Sequence, residues 1–102
     1  MANNYSDLRM EEERIEKIAN RMKLLSEPMR LRLLERLKNG ERCVKELVEE
    51  TGAGQANVSK HLALLSVHGV VDKRKEGLYV YYRLKDMSVL KMLDCLGDQV
   101  DA

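Results

Sequence analysis

The chain has 102 residues, 44% of them apolar and 34% charged, which suits one domain with a modest core and leaves little room for a second. No apolar run is long enough to span a bilayer, and the leading MANNYSDLRMEEER lacks the apolar stretch of an export signal, so a cytoplasmic protein without membrane contact is expected. Two cysteines, Cys43 and Cys95, are too few for a secreted disulfide framework and should stay reduced.

The formal charge of +1 is unevenly spread. Residues 1–52 carry 11 basic and 11 acidic side chains, residues 53–85 carry 6 and 2, and residues 86–102 carry 1 and 4. Positive charge therefore gathers in one region, and such local clustering sets an electrostatic footprint on nucleic acid more than net charge does.

Residues 1–9 read as a flexible polar lead, with Ser6 or Asp7 available to cap the first helix. From Met10 that helix is predicted to run to about Leu25: Ile15, Ile18, Ala19, Met22 and Leu25 form its apolar stripe, and Glu11 to Glu13 suit the positive end of its dipole. A terminal amphipathic helix needs a cover, which its own domain or a second copy of the chain could supply, and partial use as a dimer surface is expected. Ser26-Glu27-Pro28 opens the second helix, with Ser26 as cap and Pro28 in the first turn. Met29, Leu33, Leu34 and Leu37 are its buried side, and Asn39-Gly40 ends it.

The third helix runs from Cys43 to about Glu50 and buries Val44, Leu47 and Val48. Thr51-Gly52-Ala53-Gly54 then turns the chain into Gln55 to His68, where Val58, Leu62 and Leu65 recur on one face. Gln55, Ala56, Asn57, Ser59, Lys60 and His61 lie largely off that face. Amides, a hydroxyl and a cation are the groups that read base edges and hold phosphates in a major groove. Two short helices joined by a glycine-containing turn meet the helix-turn-helix description, which raises this stretch from an ordinary amphipathic helix to a reading helix.

After Gly69 the period changes from helical to alternating. VVDKRKEGLYVYYRL places Val71, Lys73 and Lys75 on one parity, then Tyr79 and Tyr81 alternating with Val80, Tyr82 and Leu84, with Glu76-Gly77 at the turn. This predicts a β-hairpin whose Lys73, Arg74, Lys75 and Tyr79 form a basic wing beside the reading helix. A last helix starts at Asp86 as its cap and carries Val89, Leu90, Leu93 and Leu96 as its stripe. The fold class is thus mainly α with a small β-hairpin (α+β), a winged helix-turn-helix of order α-α-α-α-β-β-α.

Three segments, LLSEPMRLRLLERL, GERCVKELVEETGAGQANVSKHLALLSVHGVV and LYVYYRL, together resemble the ArsR/SmtB family of dimeric winged-helix repressors over roughly residues 10–96. The resemblance implies a homodimer with the interface on helices 10–25 and 86–100. It further implies two reading helices in successive major grooves of a double-stranded operator, and release of DNA by an inducer bound elsewhere. Gly54 stands where members often carry a capping Ser; glycine is tolerated at that position. The family's metalloid pattern E-L-C-V-C-D-L corresponds here to Glu41-Arg42-Cys43-Val44-Lys45-Glu46-Leu47, with Lys45 in place of the second thiol. Its zinc pattern fails too, with Ser88 where His is required and Gln99 and Ala102 at the later positions, so neither metal nor cofactor is expected.

The two thiols are the remaining candidates for a sensor. At about 100° per residue, Cys95 falls roughly 140° from the stripe of its helix and Cys43 roughly 90° from that of its own, so neither is expected in the core. Cys43 also lies at a helix start beside Arg42 and Lys45, an arrangement that favours thiolate. A Cys43/Cys95 switch responding to reactive sulfur species or oxidants is one reading. Two reduced cysteines without a signal role, or capture of a metalloid or soft metal by both sulfurs, are the others. Nothing in the sequence suggests an enzyme, because there is no phosphate loop, nucleophile motif or carboxylate pair. A winged-helix protein-interaction module stays open as an alternative to DNA binding.

Overall fold

The computed structural model describes residues 4–101, with side chains from residue 6 onward. The chain forms α1 (Asn4–Leu25), α2 (Pro28–Leu37), β1 (Arg42–Cys43), α3 (Val44–Thr51), α4 (Gln55–Val67), β2 (Val71–Glu76), β3 (Tyr79–Leu84) and α5 (Met87–Asp101). The mainly helical winged arrangement matches the expectation, with one addition. The two-residue β1 pairs antiparallel with β3, so the sheet has three strands in the order β1-β3-β2.

α1 begins six residues before the expected Met10. Residues 4–9 are helical, and Ser6 and Asp7 lie inside the first turns of α1, where Asp7 suits the positive end of the dipole. Residues 1–3 of the expected lead lie outside the described residues. Leu8, Ile15 and Met22 are spaced by seven, with Ile18 and Leu25 completing a seam, yet among the described residues of α1 only Leu25 and its neighbour Leu24 are buried. Leu8, Ile15, Ile18 and Met22 stay exposed.

α2 opens differently from the sequence reading. Glu27 is the N-cap and its carboxylate accepts from the Arg30 backbone N–H at 3.2 Å, while the Ser26 hydroxyl donates backward to the Lys23 carbonyl at 3.0 Å. At the far end of the chain the expected cap holds: Asp86 Oδ1 accepts from the Ser88 backbone N–H at 2.9 Å and from its hydroxyl at 2.5 Å. On α5, Val89 and Leu93 are buried, but Leu96 and Val100 continue the same stripe into solvent.

The core collects Leu33, Leu34, Leu47, Val58, Leu62, Leu65 and Val70, all fully enclosed, and Tyr82 of β3 closes it from the sheet side. Burying side chains of this size is worth roughly 1.5–3 kcal/mol each against leaving them in water. Outside this core the molecule is elongated. Its extents are 60 × 36 × 20 Å and its radius of gyration is 16.7 Å, against about 13 Å for a compact domain of this length.

Candidate nucleic-acid interface

α3 ends where Gly52 takes the left-handed conformation, φ 72°, which a side chain with a Cβ resists. Thr51 locks that end. Its hydroxyl donates to the Leu47 carbonyl at 2.6 Å and accepts from the Ala53 N–H at 3.3 Å. Gly54 then caps α4 in extended geometry and has no side chain to occupy the free amides of the first turn. Val58, Leu62 and Leu65 fix the helix from behind. Gln55, Ala56, Asn57 and Lys60 are exposed and Ser59 is half-buried, as a reading face requires.

His61 departs from that set. Its ring turns inward toward α2, where Arg30 Nε donates to Nδ1 at 3.2 Å and Glu27 Oε2 lies 3.8 Å from Nε2. Arg30 is itself pinned by donating to the Leu24 carbonyl at 2.8 Å. His61 is therefore occupied in joining α4 to α2 and is not among the groups α4 presents outward.

The wing divides its residues between two faces. The register pairs Val71 with Leu84, Lys73 with Tyr82 and Lys75 with Val80, so Lys73 and Lys75 share the side of the sheet that faces the core and α4. Arg74 lies on the opposite side, where Nη2 and Nε donate to the two Glu41 carboxylate oxygens at 2.6 and 3.2 Å and Nη1 donates to Glu76 at 2.6 Å. Its guanidinium also sits 4.7 Å from the centroid of the Tyr81 ring. The hydrogen bond from Arg74 holds the Glu41 carboxyl below its ordinary range. Arg74, expected as a DNA contact, is thus paired with Glu41 and Glu76 while its side chain stays half-exposed, whereas Lys73 and Lys75 have no ion pair among the described residues. Tyr79 is half-exposed on the Arg74 side, its ring centroid 6.4 Å from that of Tyr81.

Between α4 and the wing lies a cleft of about 420 Å³, lined by Gln55 and Ser59 on one wall, Leu78 and Tyr79 on the other, and Cys43 and Lys45 below. In the sequence Lys45 stood out as the replacement of a thiol and as a cation near Cys43, not as a residue of this cleft. It is exposed and has no ion pair among the described residues.

Contrary to expectation, Cys43 is buried. It is the strand residue paired with Tyr81 and at the same time the N-cap of α3, and its backbone N–H donates to Glu46 Oε1 at 3.0 Å. Hydrogen bonds from the Cys43 backbone and thiol hold the Glu46 carboxyl below its usual range. The group beside the sulfur is therefore a carboxylate; Arg42 is drawn away to Glu50 at 3.5 Å. Cys95 is exposed on α5, as its wheel position implies, and the two thiols are not joined. Among the described residues no group of three or more His, Cys, Asp and Glu side chains could hold a metal ion, and no helix is long and apolar enough to cross a membrane.

A helix-turn-helix with an exposed small polar front, flanked by a lysine-bearing hairpin on the same side, defines a winged-helix DNA-binding regulator. The chain belongs to the ArsR family of bacterial regulatory proteins, whose model matches residues 27–73. It is 35% identical over 85 residues to the biofilm growth-associated repressor of Xylella fastidiosa, covering 83% of this chain and 75% of that one. Among solved structures it is similar to reduced HlyU from Vibrio cholerae, with 31% identity, a TM-score of 0.82 and coverage of 89% and 96%. It is also similar to the homodimeric winged helix-turn-helix DNA-binding domain of Mb0332 from Mycobacterium bovis, with 27% identity, a TM-score of 0.75 and coverage of 99% and 88%. These relatives are regulators, and the chain is a transcription regulator rather than an enzyme.

Proposed function

We propose that the protein is a homodimeric repressor that holds a double-stranded operator and lets it go when an inducer acts. α4 lies in the major groove, with Gln55, Ala56, Asn57 and Ser59 at base edges and Lys60, Lys73 and Lys75 on phosphates; Tyr79 borders the groove from the wing. The observation that carries this reading is the cleft that has Gln55 and Ser59 of α4 on one wall and the wing tip on the other, in a hairpin whose Lys73 and Lys75 have no ion pair among the described residues. The exposed seam of α1 and the uncovered end of the α5 stripe support the dimer, as does the homodimeric state of the Mb0332 domain. In the twofold dimer each reading helix meets one half-site, and half-sites lie about 34–36 Å apart.

The release signal acts through Cys43, with Cys95 as the exposed second thiol. With a hydroperoxide as oxidant, the two thiols give up two electrons and two protons to form one S–S bond while ROOH becomes ROH and water. A disulfide requires Cα atoms within about 7 Å, and Cys43 is enclosed, so the oxidised form needs β1 and α3 to open. Such opening displaces the floor of the cleft beside α4, which gives the chemistry a route to the reading face.

The test is a fluorescence-anisotropy titration against fragments of the protein's own promoter at several salt concentrations. Phosphate contacts give a log–log slope of roughly −0.9 each. Absence of binding to any promoter fragment would end the repressor reading. Repeating the titration with peroxide, polysulfide and arsenite separates thiol oxidation from capture of a metalloid by the same sulfurs.

A further inference from the structure

The two-residue turn of the wing carries a side chain the fold does not need. Gly77 takes φ 60° and Leu78 keeps a negative φ, the pattern of a tight hairpin turn with glycine first, so the turn itself accepts almost any residue at position 78. What stands there is leucine, 97% exposed, the most exposed of the large apolar side chains among the described residues. Its own core is out of reach, because the Glu76–Tyr79 pair holds the tip away from the rest of the sheet. Leu78 forms one wall of the cleft of about 420 Å³ whose opposite wall is Gln55 and Ser59, and Lys45, a cation without a carboxylate partner among the described residues, edges the cleft below.

If Gln55 and Ser59 face the bases of a major groove, the cleft beside them is where the sugar-phosphate strand bounding that groove must run. The next space beyond that strand is the adjacent minor groove. A B-form minor groove is about 6 Å wide and 7.5 Å deep, which admits one turn tip with one side chain. Lys75 approaches on the same hairpin and supplies charge at the groove edge. Leucine can make no hydrogen bond to a base, so it acts on the groove's shape, wedging between neighbouring pairs at the cost of their stacking.

We propose that the cleft between α4 and the wing seats one DNA strand on Lys45, and that Leu78 enters the minor groove beyond it as an apolar wedge. The wedge kinks the operator and selects steps that unstack easily, TA and CA/TG, at a position no polar side chain touches. This rests on the DNA-binding reading above and adds a reader at a position outside it.

The experiment compares wild type, Leu78→Ala, Leu78→Asn and Lys45→Gln on one operator fragment, with bend angle measured by end-to-end energy transfer and affinity by anisotropy. Leu78 touches no core residue, so the melting temperature should be unchanged in its variants. The expected result is that both Leu78 variants lose most of the bend and about tenfold in operator affinity. They should keep wild-type affinity for non-specific duplex. Replacing the TA or CA/TG step under the wing by a GC step should weaken the wild type and leave Leu78→Ala unaffected. Lys45→Gln should reduce the salt slope by about one contact's worth, roughly 0.9. Wild type that binds and Leu78→Ala that bends the operator equally would overturn the wedge while leaving DNA reading intact. Wild type that binds no duplex would overturn both.

Discussion

Replacing Ile15 and Ile18 of α1 together by alanine tests whether the exposed seam is the surface on which two copies meet. In the single chain these side chains are 46% and 41% exposed, so somewhat under half of each remains to be covered. Complete burial of an isoleucine is worth roughly 1.5–3 kcal/mol, which makes the uncovered share about 1 kcal/mol per residue. A twofold interface uses every residue twice, so two substitutions remove four such shares, about 4 kcal/mol, or about a thousandfold in the dimer dissociation constant. Circular dichroism should show unchanged helix content, since the substitutions empty no enclosed site and alanine favours helix. Sedimentation equilibrium over a dilution series reads the dissociation constant, and operator anisotropy should fall in parallel, because a monomer engages one half-site and loses the gain of linkage. A dissociation constant within threefold of wild type would place the interface elsewhere. A monomeric variant with undiminished operator affinity would refute the coupling of dimer to DNA.

Gln55→Ala and Asn57→Ala should each cost about 1–3 kcal/mol in operator binding and relax base preference, whereas Lys73→Ala and Lys75→Ala should weaken all duplexes alike; operator and scrambled-sequence titrations separate the two patterns. Arg74→Ala should leave the salt slope unchanged and instead loosen the sheet, seen as faster amide exchange in β1 and β3, since Glu41 and Glu76 lose their partner. Cys43→Ser and Cys95→Ser should each hold operator under a peroxide dose that releases wild type, and equal release of all three would remove the thiols from the mechanism. Asp86 has its carboxyl below the ordinary value of 3.8, chiefly through the Ser88 hydroxyl and then through Arg21. A lowered folded value stabilises above the unfolded value and is lost as pH falls through the folded one. Urea midpoints of wild type should therefore drop below about pH 4, and Asp86→Asn should flatten that drop; parallel curves would refute the assignment.

What the sequence disclosed was set by local pattern, and what it withheld was set by partners distant in the chain. Val58, Leu62 and Leu65 announced α4 because one face repeats at helical spacing, and Gly52 announced the turn because few other residues take its φ. His61 misled because it sits roughly 65° from the centre of that stripe, on a flank where either solvent or a neighbour can claim it. The claimant is Arg30, 31 residues earlier. Cys43 misled in the same way: a wheel drawn on α3 knows nothing of a two-residue strand, and Cys43 belongs to that strand, where it pairs with Tyr81 and is buried. Arg74 looked like one of three equivalent wing cations until the register put it across the sheet from Lys73 and Lys75, against Glu41.

Arg21 carries this reasoning furthest, because nothing in its own stretch marks it. It lies on α1 between exposed residues, yet its Nη1 donates to the His68 carbonyl at the end of α4, at 2.7 Å, and its Nη2 pairs with Asp86 at the start of α5. A cation at that carbonyl also complements the negative end of the α4 dipole. One guanidinium thus joins both helices assigned to the dimer surface to the far end of the helix assigned to the major groove. A shift of α1 against its twofold mate must therefore be absorbed by this tie or passed on to α4. If an inducer acts on that surface, the tie would give it a mechanical route to the reading face independent of the cleft beside Cys43. Cutting the tie by Arg21→Gln should accordingly lower operator affinity while the dimer dissociation constant stays put, and loss of both together would mean that Arg21 serves the fold alone.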